Sequence, residues 1–313
     1  MLLAALLIPL FVKDPFTLRL LILILMYATL GEAWNILGGF AGQFSIGHST
    51  FFAVGAYTST LLFLRAGVNP WLGMLAGMLL AAVISVLIGF PCFALRGHYF
   101  VIATAVIAES VYVLLTNWEL VGSAMGLSLP LLKSSLGAFQ FHESKAPYFY
   151  VALGMVLLTV ATTTAVERSK LGYCLKAIRE DETAAMSLAI NTRLYKSIAM
   201  ALSAALTAMV GTFYAQLVLF VDPPSVASLA LSVLIPLIPI LGGIGTVGGP
   251  LLGAALLIPI SEYTRVYFSG SGRNVDLMVY GALIMLISVY RPNGLLTLLR
   301  PGEEVRAQQA GRV

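Results

Sequence analysis

The chain of 313 residues is 59% hydrophobic and 10% charged, whereas an average soluble domain is about 45–50% apolar and about 25% charged. This composition excludes an ordinary water-soluble protein, because its core could not bury so much apolar surface. The net charge of +4 is typical of membrane proteins with basic cytoplasmic loops and does not favour nucleic-acid binding. We therefore predict an all-α polytopic membrane protein.

Apolar runs that approach or reach membrane-spanning length divide the chain. They lie near residues 1–12, 17–37, 49–64, 70–90, 98–116, 147–166, 197–220, 229–246, 249–268 and 276–290. The first is short and lacks the features of a cleaved signal peptide, so we expect it to stay in the protein. One of the two glycine-rich joints, at 38–48 and 242–249, is expected to be a broken helix or re-entrant loop instead of a full turn. The prediction is roughly eight to ten transmembrane helices.

Basic residues predict the orientation of these spans. The loop 167–196 carries six lysines and arginines, and the tail after 290 carries four arginines, whereas the loop 222–228 has none. Because cytoplasmic loops are enriched in lysine and arginine, we place 167–196 and the C-terminus in the cytoplasm. The loops 222–228 and 117–146 then lie outside.

Several polar residues fall inside or beside the predicted spans, where polar groups are costly and usually functional. The candidates for a translocation pathway are Glu32, Asn35, Gln43, Ser45, His48 and Glu109. Each carboxylate either lines a pathway or, when protonated, bonds one helix to another. The small and polar residues of 38–57 either expose helix ends to a charged or zwitterionic substrate or allow close helix packing.

Motifs for catalysis and cofactor binding are not evident in the sequence. The glycines at 243, 245 and 248 match G-x-G-x-x-G, but apolar spans flank them instead of the strand and soluble helix of a dinucleotide site. No phosphate-binding G-x-x-x-x-G-K-[ST] motif occurs, so any ATP hydrolysis is expected on separate subunits. No metal motif or nucleophile–base set is evident either. We predict that this chain is not an enzyme and binds no cofactor or metal.

The charged stretch 169–196 is amphipathic and lies between two spans. Leu171, Leu175 and Ile178 recur at helical spacing on one face, and a second short helix is expected from Ala184 through Ile190. The apolar positions are leucines and alanines, and acids are mixed with the bases. A helix lying on lipid usually presents Trp or Phe opposite Lys and Arg, so this pattern favours docking into a protein partner.

At these residues the sequence resembles the permease subunits of branched-chain amino acid ABC importers. Four further segments match that family in order, and the resemblance covers roughly residues 17–296. The five segments are GGFAGQFSIGHSTFFAVGAY (38–57), LRGHYFVIATAVIAES (95–110), SKLGYCLKAIREDETAAMSLAINTRLYK (169–196), LGGIGTVGGPLLGA (241–254) and RPNGL (291–295).

The resemblance implies one permease domain over 1–296, with a cytoplasmic coupling loop at 167–196 and a cytoplasmic tail at 297–313. The implied partners are a second, homologous permease, two ATPase subunits that bind ATP and Mg²⁺, and a periplasmic amino-acid-binding protein. The implied location is the bacterial inner membrane. The residues expected to couple to the ATPase are Leu171, Gly172, Leu175, Ile178, Arg179, Glu182, Ala184, Ala185 and Ala189.

Two departures from the family pattern stand out. Ala189 occupies a position that is usually glycine in the family, and VGSAMGL (121–127) replaces a more glycine-rich stretch. The substrates left open are branched-chain amino acids, urea and short amides. A proton-coupled secondary transporter using Glu32 and Glu109 is the other alternative. Within the coupling loop, Arg179 and Glu182 are expected to be rim charges that contribute little to docking.

Overall fold

The structure, a computed structural model, describes residues 14–268 except 96, 132–136, 138, 142 and 143, together with positions 9, 281 and 295. The predicted spans near 1–12 and 276–290, most of the RPNGL segment and the tail 297–313 lie outside the described residues.

The described chain is mainly helical, in agreement with the predicted fold class. The helices are α1 (Pro15–Asn35, continued by a π-helical turn Ile36–Phe40), α2 (His48–Ala66), α3 (Pro70–Cys92), α4 (His98–Asn117), α5 (Ala146–Arg168), α6 (Lys170–Glu180), α7 (Glu182–Ser187), α8 (Thr192–Val218), α9 (Pro223–Val226), α10 (Leu229–Gly242) and α11 (Gly249–Phe268). Two 3₁₀ turns, Glu119–Val121 and Ser123–Met125, follow α4. Two short strands, β1 (Leu127–Ser128) and β2 (Phe220–Val221), pair antiparallel.

Local chemistry explains where these helices begin and end. Asp14 caps α1 by accepting a hydrogen bond from the Thr17 amide at 2.9 Å, and Pro15 follows at the first position, where a missing amide hydrogen costs nothing. Helix α2 ends at Gly67, whose φ of +62° is the left-handed conformation that glycine adopts without strain.

Six segments of the described chain are long and apolar enough to cross a membrane: Pro15–Phe40, Pro70–Cys92, His98–Asn117, Ala146–Arg168, Thr192–Val218 and Pro223–Gly242. Helices α2, of 19 residues, and α11, of 20 residues, have comparable length. The part of the chain that the structure describes thus holds six apolar candidate spans and two further helices of similar length, and the total of eight to ten stays a prediction because two predicted spans lie outside the described residues.

The centre of the bundle is α8, which packs against α1, α2 and α3. Glycines bring α2 and α8 into backbone contact: a Cβ at Gly55 would overlap the Ala208 carbonyl, and one at Gly211 would overlap the Phe52 carbonyl. The Thr212 hydroxyl donates a hydrogen bond to the Gly55 carbonyl at 3.0 Å. Membrane helices associate without a hydrophobic driving force between them, and small residues favour this association because they let the backbones approach closely. Helix α2 is therefore an inner helix of the bundle, in contact with α8 along its length.

The β1–β2 pair joins the loop after α4 to the end of α8, with Leu127 opposite Val221. Consequently the 121–127 segment and the loop 222–228 lie at the same end of the bundle. Helices α5 and α8 both run between that end and the α6–α7 pair, so the two predicted outer loops and the predicted coupling loop are at opposite ends.

Candidate coupling region and transport pathway

Two short helices, α6 and α7, occupy the predicted coupling loop. Asp181 separates them and caps α7, because its Oδ1 accepts hydrogen bonds from the amides of Thr183 at 2.8 Å and Ala184 at 3.0 Å. An ion pair between Lys176 and Glu167 at 2.9 Å ties α6 to the end of α5. The loop is therefore a folded unit attached to the transmembrane helices.

The apolar face of α6 turns inward, against the permease itself. Leu175 and Ile178 are buried, Leu171 is half-buried, and a Cβ at Gly172 would overlap the Val166 carbonyl. In α7, Ala185 is buried with 2% of its surface exposed. The α6–α7 unit uses Leu175, Ile178 and Ala185 to pack on the permease's own helices, so these side chains are not exposed to a partner, and the coupling role expected of the set stays a prediction.

A different set of side chains faces outward. Tyr173 is 68% exposed, Met186 42% and Leu188 76%, and Ala184 is also exposed. These exposed apolar side chains make the outward side of the α6–α7 unit the candidate surface for a partner. Helical periodicity separated the two faces of α6 but did not show which face points to the membrane helices.

The two charges that were expected at the rim have specific partners. Glu182 pairs with Lys196 of α8 at 2.7 Å, and the Lys196 side chain is only 1% exposed. The Arg179 guanidinium donates a hydrogen bond to the Gly39 carbonyl at 2.8 Å. Arg179 is nonetheless exposed and Glu182 is 22% exposed, so both charges lie at the edge of the α6–α7 unit while they contact the transmembrane part of the chain, and their small contribution to docking stays a prediction.

Ala189 has a φ of +60°, in the left-handed region that costs an L-residue roughly 1–2 kcal/mol. This explains a preference for glycine at the position: the constraint is on backbone conformation and not on side-chain size. The Ala189 side chain is exposed, so space around it is not limiting.

The turn 243–248 between α10 and α11 is held by two fully buried side chains of α1. Glu32 Oε1 accepts a hydrogen bond from the Gly248 amide at 2.8 Å. Asn35 Oδ1 accepts from the Gly245 amide at 2.8 Å, and its Nδ2 donates to the Thr246 carbonyl at 2.9 Å. Through these hydrogen bonds, Glu32 and Asn35 hold the glycine-rich turn against α1.

The joint between α1 and α2 also uses its polar groups internally. His48 is buried with its Nε2 at 2.8 Å from the Ser203 hydroxyl. Ser45 is buried, and its carbonyl accepts from Trp34 Nε1 at 2.8 Å. Gln43 is partly exposed, with its amide at 3.4 Å from the Ala41 carbonyl.

Glu109 stands apart from the other five pathway candidates. It lies near the middle of α4, and it is exposed together with Ser110. The stripe that contains both is otherwise apolar and exposed: Tyr99, Ile102, Val106 and Val113. Helix α3 also has an exposed stripe, but that stripe is apolar throughout: Leu72, Leu75, Leu79, Val83, Leu87 and Phe90.

Among the described residues, no group of three or more His, Cys, Asp or Glu side chains is placed to hold a metal ion. Cys92 and Cys174 are both buried free thiols.

Comparison with known proteins gives a consistent result. A family model described as the branched-chain amino acid transport system permease component matches residues 16–288. The chain is 32% identical to the high-affinity branched-chain amino acid transport system permease protein LivM of Escherichia coli K12, over 91% of this chain and 71% of that protein. It is 23% identical to LivH of Salmonella typhimurium and to BraD of Pseudomonas aeruginosa, over 86% of this chain and 91% of each relative.

No solved structure matches the chain. The family match covers most of the sequence, and the described helices have the lengths and compositions of a multi-pass membrane protein. The chain therefore belongs to the branched-chain amino acid permease family, whose members are transport subunits and not enzymes.

Proposed function

We propose that this chain is one permease subunit of an ATP-driven importer for branched-chain amino acids. The observation that carries the proposal is the family match over residues 16–288. In this assignment ATP and Mg²⁺ bind to two separate ATPase subunits, and a periplasmic binding protein delivers the substrate. The second permease is a homologue of this chain, which is similar both to LivM and to LivH.

The exposed stripe of α4 faces the second permease and the substrate pathway. A carboxylate in the middle of a spanning helix avoids hydrocarbon and faces protein or a water-filled path, so the stripe with Glu109 is covered by protein or water. The exposed stripe on α3 carries no charged or polar side chain, so it faces the lipid. The pathway therefore runs along α4, between the two permeases, with Glu109 on its wall.

The ATPase docks on the outward surface of the α6–α7 unit, which we define as Tyr173, Ala184, Met186 and Leu188. These side chains are exposed although most of them are apolar. Helices with exposed apolar anchors dock into grooves of partner proteins. The inward face of the unit then carries motion of the docked ATPase into the permease.

We propose the bacterial inner membrane as the location, with the α6–α7 unit in the cytoplasm and the loop 222–228 in the periplasm, as the basic residues predict. Cys174 is a poor topology probe because it is buried. Ser187 and Ser225 are both exposed. On whole cells, a membrane-impermeant thiol reagent should label Ser225→Cys and spare Ser187→Cys. The reverse pattern would invert the orientation.

The function is tested by reconstituting the chain with its candidate partner permease, ATPase subunits and binding protein in proteoliposomes. Uptake of labelled leucine should require ATP and the binding protein, and isoleucine and valine should compete with it. Competition by urea or short amides alone would reassign the substrate class. Uptake that follows a proton gradient without ATP would support a secondary transporter instead and overturn the proposal.

A further inference from the structure

Arg179 lies where three parts of the chain meet. It belongs to the last turn of α6, and its Nη1 donates a hydrogen bond to the carbonyl of Gly39 at 2.8 Å. Gly39 lies in the π-helical turn that ends the first long span. The aliphatic part of the arginine covers Gly42, where an added Cβ would lie 3.0 Å from Arg179 Cγ.

The turn between α10 and α11 also contacts the Arg179 guanidinium. A Cβ at Gly245 would overlap Arg179 Nη1, so the guanidinium occupies the space that this glycine leaves open. The Gly245 amide donates to Asn35 Oδ1 at 2.8 Å. We call this group, formed by Asn35, Gly39, Gly245 and Arg179, the arginine node.

Electrostatics favours an arginine at this position. The last carbonyls of a helix have no partner within the helix and carry partial negative charge, and Gly39 is within the last turn of the α1 segment. A guanidinium has several donors in a rigid fork, so it can satisfy such a carbonyl and still contact neighbouring backbone. Hydrogen bonds to a charged group are also the stronger kind.

From this geometry we propose that Arg179 is a positioning residue that transmits movement of α6 to α1 and to the α10–α11 turn. The inference rests on the proposed function, in which an ATPase docks on the outward surface of the α6–α7 unit. Arg179 acts on the other side of that unit, against the permease's own helices. Its loss should uncouple ATP hydrolysis from transport without releasing the ATPase.

The first test substitutes Arg179→Gln in the complete reconstituted importer. ATPase subunits should co-purify as with the wild type, while the amount of substrate transported per ATP hydrolysed falls. Loss of one charge-assisted hydrogen bond shifts the equilibrium between the coupled and uncoupled arrangements by about tenfold or more. Arg179→Lys keeps a charged donor and should restore part of this ratio. Arg193→Gln is the matched control, because Arg193 is exposed on the same loop, and its ratio should be that of the wild type.

A second test approaches the node from the opposite side. Gly245 and Gly248 both have positive φ, +75° and +91°, so alanine is strained at either position. Only at Gly245 does the new Cβ collide with Arg179, since nothing lies within 4 Å at Gly248. Gly245→Ala should therefore lower the transport ratio more than Gly248→Ala does, and adding Arg179→Gln to Gly245→Ala should lower it little further.

The outcomes separate this inference from the proposed function. If the wild-type chain neither binds an ATPase nor supports ATP-dependent uptake, the proposed function fails. If it does both, but Arg179→Gln releases the ATPase or leaves the transport ratio unchanged, only the role of Arg179 is overturned. Equal effects of the two glycine variants would likewise contradict the node, because strain alone would explain them.

Discussion

Replacing Leu188 by aspartate tests whether the outward surface of the α6–α7 unit binds the ATPase. Leu188 follows the last residue of α7 and is 76% exposed. Because the side chain touches little of its own subunit, the change should alter the stability of the permease by no more than about 0.5 kcal/mol. Any larger effect must therefore come from a partner that covers this position.

The expected loss has two parts. Burying a leucine side chain in a docking cleft contributes about 1.5–3 kcal/mol, and aspartate forfeits this. An unpaired charge at an interface costs about 2–5 kcal/mol. Since about 1.4 kcal/mol corresponds to a factor of ten, even 2 kcal/mol weakens docking by roughly thirtyfold. Leu188→Ala loses only the apolar part and should fall between the wild type and Leu188→Asp.

The measurements are co-purification of the ATPase with the permease and stimulation of ATP hydrolysis by loaded binding protein. Leu188→Asp should lose both, while the permease still inserts and pairs with its partner permease. Ala185→Asp provides the contrast, because Ala185 is 2% exposed and a carboxylate there should destabilise the permease itself. Wild-type co-purification and stimulation with Leu188→Asp would refute docking on this surface, as expected if the loop lies on lipid instead.

Three further predictions concern single residues. Glu109→Gln should reduce uptake more than it reduces assembly, because Glu109 is exposed in the middle of a spanning helix; normal uptake at normal expression would contradict this. Glu32→Leu should lower the free energy of unfolding of the purified permease by about 1–3 kcal/mol, measured as a lower unfolding temperature, because the Gly248 amide loses its acceptor. Glu32→Gln keeps an acceptor oxygen and should lose less stability, and equal losses for the two variants would argue against this hydrogen bond. Ala189→Gly should stabilise the coupling loop by up to about 1 kcal/mol, because the left-handed backbone suits glycine; weaker hydrogen-exchange protection in α7 would show the opposite.

The sequence by itself determined the class of protein and most of its helices. Long apolar runs have few structural options in a membrane, because every backbone polar group must be satisfied internally. The predicted span 249–268 therefore coincides with α11, and the amphipathic stretch after residue 169 forms α6 and α7. The order of the five family segments also led to the correct family. These features depend on local composition and on motif order.

The roles of individual polar residues were decided only by the tertiary structure. Glu32 and Glu109 look alike in sequence, but Glu32 bonds to Gly248, 216 positions away, while Glu109 remains exposed on α4. Such a partner cannot be found from local pattern, because it depends on how the helices pack.

In the loop 167–196, too, the local sequence pattern did not reveal the long-range contacts. Periodicity grouped Leu171, Leu175 and Ile178 on one face of α6, but a face defined by spacing has no direction until the neighbouring helices are in place. Packing turned that face inward and brought Arg179 to the Gly39 carbonyl, 140 positions away in the chain. The sequence therefore located the amphipathic α6–α7 unit, and long-range contacts decided which of its side chains are exposed and which pack against the permease helices.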